Sequence, residues 1–193
     1  MKLRRSLFRR LGRTLALILM VAGGGAVAVL YLRWHWREQH YNPMIEEIAE
    51  QYDVDKFLVK AVMRQESGFD STAYSKKGAI GLMQVMPAMG EQWARATGRH
   101  GFKRDALWDP HTNIEAGTWI LAQALERWQE RDDPVPFALA EYNAGAGRVA
   151  KWLPNGEATT AEDFAAAITF PGVRRYIEKI TSYADDYRAK GQL

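Results

Sequence analysis

Apolar side chains along most of the chain recur at intervals of three and four residues, the spacing that places them on one face of an α-helix. Six such positions between Val173 and Tyr187 predict one long final helix. Alternating apolar and polar residues are scarce, so short antiparallel pieces within residues 70–85 are the limit of predicted strand structure. The pattern therefore predicts an all-α, predominantly helical fold.

Capping and turn residues divide residues 38–193 into several short helices. Asn42-Pro43 is typical of an N-cap followed by the first helical position, and Asp55 predicts a second N-cap. Thr160-x-x-Asp163 resembles a capping box. These signals, with the glycines and prolines between them, predict helices over residues 42–52, 55–66, 88–97, 113–130, 134–139, a short segment ending near 153, 162–168 and 173–187. In the fourth of these, the positions expected to face inward are Ile114, Thr118 or Trp119, Leu121, Leu125 and Trp128.

The first 37 residues differ from the rest of the chain. They hold eight Lys and Arg and no acidic residue, and residues 14–32 are 19 positions without a charge. A helix needs about 20 apolar residues to span a hydrocarbon core. Six basic residues precede this run and two follow it, which favours a cytoplasmic N-terminus, and Trp34 and Trp36 lie where an interfacial aromatic belt is expected. We therefore predict a basic tail and single-pass membrane anchor over residues 1–37 and a folded domain over residues 38–193.

A cleaved signal peptide is the competing interpretation of the same segment. Residues 15–22 fit an apolar h-region, and Ala26-Val27-Ala28 fits a cleavage site of the A-x-A type. Both interpretations place residues 38–193 outside the cytoplasm.

Composition excludes several classes of protein. Of the 193 residues, 47% are hydrophobic, so wholesale disorder is excluded, and the absence of Cys excludes disulfides, thiolate metal sites and a lipid-modified cysteine. Residues 38–193 hold 18 Lys and Arg against 23 Asp and Glu, so the folded part lacks the basic excess of a nucleic-acid-binding protein. The four histidines show no metal-ligand spacing, and we expect neither a metal nor a cofactor.

One carboxylate lies on an apolar helix face. Leu58, Val62 and Glu66 are spaced i, i+4 and i+8, so they share one side of a helix. A carboxyl group held against apolar surface resists ionisation, and its raised pKa suits a general acid that works near neutral pH. The alternative is a Glu at a helix end that simply reaches water.

Four motifs in register accompany this glutamate. Glu66-Ser67 is followed by residues 78–87, Gly-Ala-Ile-Gly-Leu-Met-Gln-Val-Met-Pro, and by residues 140–149, Ala-Glu-Tyr-Asn-Ala-Gly-Ala-Gly-Arg-Val. Asn113-Ile114 with Gly117, and Arg174 with Tyr176, also fit in order and spacing. On these residues, roughly positions 40–190 resemble the SLT-domain lytic transglycosylases, specifically the catalytic domain of the soluble type.

The resemblance implies a lysozyme-like fold and an activity. Members of this family cleave the β-1,4 bond between N-acetylmuramic acid and N-acetylglucosamine in peptidoglycan and leave 1,6-anhydro-muramic ends. The implied catalytic residue is Glu66, and the implied partner is the glycan strand. Together with the anchor predicted from residues 1–37, this places the domain in the periplasm, attached to the inner membrane. The positions that match substrate-contacting residues of the family are Ser75, Gln84, Met86, Tyr142, Asn143 and Tyr176.

Two rival functions stay open at this level. A goose-type lysozyme-like muramidase has the same fold but delivers water, for which it needs a second carboxylate. A non-catalytic peptidoglycan-binding scaffold of an envelope complex is the other, and the sequence identifies no partner in an envelope or secretion complex. One departure concerns residues 165–173, which lack the acidic residues and the Ile-Pro-Phe usual in the family.

Overall fold

The structure is a computed structural model that describes residues 2–153, 160–191 and 193. The chain divides into two compact units, Met1–Gln39 and His40–Leu193. Helix α1, Lys2–His40, makes up the first unit. Within the described part of the chain, no helix is both long and apolar enough to cross a membrane. This finding does not support the predicted membrane helix, although residues 14–19 of that prediction lie outside the residues whose side chains are described.

The second unit is built from short helices, as the apolar spacing predicts. In chain order they are α2 (Asn42–Gln51), α3 (Lys56–Ser67), α4 (Pro87–Ala96), a 3-10 turn (Arg104–Trp108), α5 (Pro110–Arg127), α6 (Val135–Ala144), α7 (Ala146–Trp152), α8 (Ala161–Ala167) and α9 (Pro171–Lys190). The prediction of a predominantly helical fold is confirmed.

Helix α6 is at the centre of this unit. Four consecutive residues, 137–140, are fully buried, so this turn of the helix is apolar on every side, while the following residues reach the surface. It packs against α5, α7, α8 and α9. The Phe137 ring stacks on Phe164 of α8 with ring centroids 4.2 Å apart.

The pair formed by α3 and α9 is the part that the sequence predicts best. The Asp55 side chain accepts a hydrogen bond from the Phe57 backbone N–H, as expected of an N-cap. Thr160 caps α8 in the same way by accepting from the Asp163 N–H. The six predicted apolar positions of α9 are all buried: Val173, Tyr176, Ile177, Ile180, Ala184 and Tyr187.

Several predicted boundaries were wrong. Helix α2 has Tyr41, not Asn42, at its N-cap position. Helix α5 begins three residues early, at Pro110, because Asp109 caps it by accepting from the Thr112 N–H at 2.9 Å. Helix α6 continues past Leu139 to Ala144 and ends where Gly145 takes a φ of 83°. Of the two glycines in this region only Gly145 ends a helix, because Gly147 lies inside α7.

A looped segment between α3 and α4 carries the antiparallel pieces expected in residues 70–85. Two isolated bridges join Ile80 to Tyr74 and to Val85. The segment begins at Gly68, whose φ of 59° closes α3 in the left-handed conformation. It thus folds back beside the C-terminal end of α3.

Candidate active site

A cleft of about 660 Å³ opens on the second unit beside the C-terminal end of α3. The loop after α3, helices α4 and α5, and the end of α6 line it. Six of the seven predicted site residues lie on its surface: Glu66, Ser75, Gln84, Met86, Tyr142 and Asn143. The seventh, Tyr176, is not part of the cleft surface, but its hydroxyl forms a hydrogen bond with Glu66.

Glu66 is in the last turn of α3, at the floor of this cleft. Leu58 and Val62 on the same helix face are buried, as their spacing predicts, while Glu66 is half-buried at the point where the helix meets open space. Burial raises the pKa of the Glu66 carboxyl to about 7, against an ordinary value of 4.5. The carboxyl group therefore holds a proton up to neutral pH.

Two tyrosines flank the carboxyl group. The Tyr176 hydroxyl donates a hydrogen bond of 2.6 Å to Glu66 Oε1, which lowers the pKa of Glu66 but less than burial raises it. The Tyr142 hydroxyl donates to the Met83 carbonyl at 2.9 Å. Burial, and next the nearby charge of Glu66, raise the pKa of both phenols well above 10, so both stay protonated donors.

Ser75 and Gln84 shape the loop that forms one wall. Ser75 Oγ accepts from the Ala79 N–H at 2.9 Å and closes a tight turn. Gln84 has a φ of 50°, a strained value for a residue with a side chain, and its amide donates to the carbonyls of Ala73 and Gly81 at 3.1 and 2.9 Å. Each residue thus holds the wall in place while it lines the cleft.

Asn113 fixes the other side of this loop from α5. Its Oδ1 accepts from the Met83 N–H, and its Nδ2 donates to the carbonyls of Ile80 and Leu107, each at 2.8 Å. The side chain is almost fully buried. Sequence reasoning saw Asn113 only as part of a motif, because two of its three backbone partners, Ile80 and Met83, are 33 and 30 residues away in the chain.

Two glycines allow the close packing around Met83. A Cβ on Gly81 would lie 2.5 Å from Asn113 Nδ2, and a Cβ on Gly117 would lie 2.5 Å from the Met83 sulfur. Met83 itself is fully buried and belongs to the core beneath the cleft surface. Met86 is 41% exposed and does line the cleft.

Helix α5 supplies a face of the cleft that the sequence did not reveal. Trp119, Gln123 and Arg127 lie on the cleft at i, i+4 and i+8. The apolar pattern left Thr118 or Trp119 as the inward position; Thr118 is the buried one. The i, i+4, i+8 spacing could have indicated that these residues share one face of the helix. Polar residues at this spacing usually form an ordinary solvent-exposed face, so the spacing alone does not indicate a cleft.

Glu141 is the second carboxylate on the cleft among the described residues, and it is already engaged. Its Oε1 pairs with Arg127, and its Oε2 accepts from the Trp128 indole N–H at 2.9 Å. Within the same described part of the chain, no group of three His, Asp or Glu side chains is placed to hold a metal ion.

Comparison with known proteins identifies the class to which this fold and cleft belong. The model of the family described as "Transglycosylase SLT domain" matches residues 43–164. The chain therefore belongs to the SLT-domain family, and the resemblance seen in the motifs is confirmed.

Characterised relatives agree with this assignment. The chain is 32% identical over 150 residues to the soluble lytic murein transglycosylase of Escherichia coli K12, covering 77% of this chain and 23% of that protein. It is 34% identical over 134 residues to the membrane-bound lytic murein transglycosylase C of Glaesserella parasuis, covering 65% of this chain and 36% of that protein. The chain thus spans about a quarter to a third of the length of these relatives.

Solved structures show the same fold. An inactive mutant of the lytic transglycosylase Slt from Pseudomonas aeruginosa and the 70 kDa soluble lytic transglycosylase of E. coli each superpose with a TM-score of 0.70. Each is 31% identical, covering 77% of this chain and 24% of the other. A further structure with the same scores is a complex of the 70 kDa soluble enzyme with bulgecin A.

Proposed function

We propose that the chain is a peptidoglycan lytic transglycosylase that cleaves the β-1,4 bond from N-acetylmuramic acid to N-acetylglucosamine. The observation that carries the proposal is Glu66: a half-buried carboxyl group on a cleft, hydrogen-bonded to Tyr176, with a pKa of about 7. A general acid needs its proton at the working pH and must be able to give it up, and a pKa near neutrality meets both conditions.

In the first step, Glu66 gives its proton to the glycosidic oxygen. The bond from the muramic C1 to that oxygen breaks, and the N-acetylglucosamine side leaves with a new hydroxyl group. The muramic N-acetyl oxygen stabilises the positive anomeric carbon, an instance of substrate assistance. The Tyr176 hydroxyl, 2.6 Å from Oε1, stabilises the carboxylate that remains.

In the second step, Glu66 acts as the base. It takes the proton of the muramic C6 hydroxyl, whose oxygen attacks C1 and closes the 1,6-anhydro ring. Glu66 is then protonated again, and no water is consumed. Because both nucleophiles are tethered to the sugar, their proximity replaces a bound water molecule.

A goose-type muramidase is the alternative that the cleft itself raises, because Glu141 is a second carboxylate on its surface. A hydrolase needs such a group to activate water. Both Glu141 oxygens are engaged, by Arg127 and by the Trp128 indole, which favours the reaction without water. A non-catalytic scaffold would have no use for the raised pKa of Glu66.

Digestion of purified peptidoglycan across a pH series tests the proposal. We expect muropeptides with 1,6-anhydro ends, which mass spectrometry separates from reducing ends by the mass of one water. Because Glu66 must be protonated, turnover should be steady below pH 7 and fall about tenfold for each pH unit above it. Reducing ends as the main product would instead establish the muramidase, and intact strands at every pH would leave only the scaffold.

We further propose that residues 1–37 anchor residues 38–193 to the inner membrane, with the second unit in the periplasm. The uncharged run over residues 14–32 and its six-to-two basic flanks support this orientation. Apolar side chains of α1 such as Val21, Leu30 and Leu32 are more than 60% exposed, which fits a helix whose surroundings are lipid.

A topology reporter fused after Leu193 tests the anchor. A reporter that is active only outside the cytoplasm should be active, and the full-length chain should sediment with membranes and resist extraction by high salt. A mature N-terminus found just after Ala28 would show a cleaved signal peptide instead.

A further inference from the structure

The cleft carries a charge pattern unlike the rest of the second unit. Residues 38–193 are acidic overall, with 18 basic against 23 acidic side chains. The charged residues on the cleft are Glu66, Lys77, Arg127 and Glu141. With Glu66 protonated at or below neutral pH, two cations face one carboxylate there, so the cleft is cationic while the unit around it is anionic.

Arg127 is the cation that the structure holds in a set position. Its guanidinium pairs with Glu141 Oε1, and Glu141 is itself held by the Trp128 indole N–H through Oε2. The Glu141 side chain is 13% exposed, whereas that of Arg127 is 52% exposed. The carboxylate is therefore a mostly covered support, and the guanidinium is the part presented to solvent and to the cleft.

The guanidinium keeps donors for a ligand. It carries five N–H groups in a planar fork that matches a carboxylate in two-point geometry. Glu141 engages Nη1. The other N–H groups belong to a half-exposed side chain on the cleft surface, so an incoming carboxylate can bind without breaking the support.

Arg127 is the last residue of α5 and lies at one end of a strip of cleft residues on this helix. Trp119, Gln123 and Arg127 succeed one another along the cleft at one-turn steps. With a rise of about 1.5 Å per residue, this strip is about 12 Å long. A glycan strand that lies along this strip would contact an aromatic side chain, an amide and a guanidinium.

We propose that Arg127, positioned by Glu141, recognises a carboxylate of the glycan substrate in this cleft. The inference rests on the proposed function, since that function supplies the substrate class. In peptidoglycan the carboxylate has two sources: a peptide stem, or the lactyl group of muramic acid where the stem has been removed. Arg127 is thus a specificity-determining residue that takes no part in the bond-breaking steps.

Binding measurements on the full chain test the proposal independently of turnover. The parent protein is Glu66→Gln, which leaves strands uncleaved. It is compared with the same protein carrying Arg127→Gln and Glu141→Gln together, because the double change leaves no lone buried carboxylate. Three probes are titrated calorimetrically: stem-bearing glycan strands, stem-free strands, and stem-free strands whose carboxylates have been converted to amides.

We expect the double change to raise the Kd for a carboxylate-bearing strand by about five- to tenfold, the range for a partly exposed charge-assisted hydrogen bond. The amidated strands should bind both proteins equally and about as weakly as the variant binds the acid form. The difference should shrink as salt is raised. A loss confined to stem-bearing strands assigns the stem carboxylate, one confined to stem-free strands assigns the lactyl group, and both support the proposal.

Arg95→Gln is the matched control. Arg95 is an exposed arginine of α4 that pairs with Glu91 at 3.9 Å and lies outside this cleft, so its loss should change none of the Kd values. Unchanged Kd values in the Arg127 variant for both acid strands would overturn the proposal, as would an equal loss on the amidated strands. Product analysis of the wild-type chain decides the proposed function separately.

Discussion

We expect Glu66→Gln to abolish strand cleavage and to leave the fold intact. Gln has the shape of Glu and can accept the Tyr176 hydrogen bond, but it has no proton to give to the leaving oxygen. Loss of general acid–base catalysis lowers a rate by about 10²–10⁴-fold, and in the proposed reaction one group serves both steps. The measurement is release of muropeptides by the purified variant under conditions in which the wild type digests the sample fully.

The same variant has a stability signature that separates lost chemistry from a damaged fold. Burial raises the pKa of Glu66 from 4.5 to about 7, so ionising it costs the folded state. Below pH 4.5 the two proteins should be equally stable; between pH 4.5 and 7 the wild type loses stability, and above pH 7 Glu66→Gln should be more stable by up to about 3 kcal/mol. A less stable variant at pH 8.5, or one that cleaves at the wild-type rate, would exclude Glu66 as a buried general acid.

Asn113→Ala is expected to have the largest effect on stability. The substitution removes three buried hydrogen bonds and leaves the Met83 N–H and the carbonyls of Ile80 and Leu107 without their partner. Unsatisfied buried groups cost about 1–3 kcal/mol each, so a loss of about 3–5 kcal/mol is expected, a large part of the about 5–15 kcal/mol typical of a domain.

Chemical denaturation followed by tryptophan fluorescence measures this effect. Asn143→Ala is the control, because Asn143 is exposed and its removal should change the free energy of unfolding by less than about 0.5 kcal/mol. Activity should fall with stability in Asn113→Ala, since the loop it holds carries Ser75 and Gln84. A free energy of unfolding within 1 kcal/mol of wild type would show that water replaces the amide.

The parts of the molecule that the sequence predicts are those governed by local rules. Asp55 and Thr160 cap helices because their side chains reach an N–H two or three residues away. Glu66 could be placed on a core-facing helix side from its spacing to Leu58 and Val62 alone. Its pKa follows from the same burial, so the direction of the shift was predictable, while its partner Tyr176 came from the family motif.

The features that escaped the sequence depend on pairs distant in the chain. Arg127 and Glu141 are 14 residues apart, on α5 and α6, and form an ion pair. Nothing in the sequence around either residue indicates which partner it has. Thr118 and Trp119 are neighbours on a helix, so the apolar pattern cannot decide between them; close packing buries the smaller side chain and leaves the indole on the cleft. The predicted end of α6 at Leu139 was too early. Residues 140–144 also form helix readily, and the helix ends only where Gly145 takes a positive φ.

Gly117 has no side chain, and the cleft wall depends on this, because even one added methyl group would collide with Met83. Met83 lies against the α5 backbone, and the Met83 carbonyl is the acceptor for the Tyr142 hydroxyl. An alanine at position 117 would push Met83 outward. The Met83 carbonyl would move with the residue and would no longer hold the Tyr142 hydroxyl beside Glu66. The width of the cleft is therefore set from inside the protein, at a buried residue that is not part of the cleft surface.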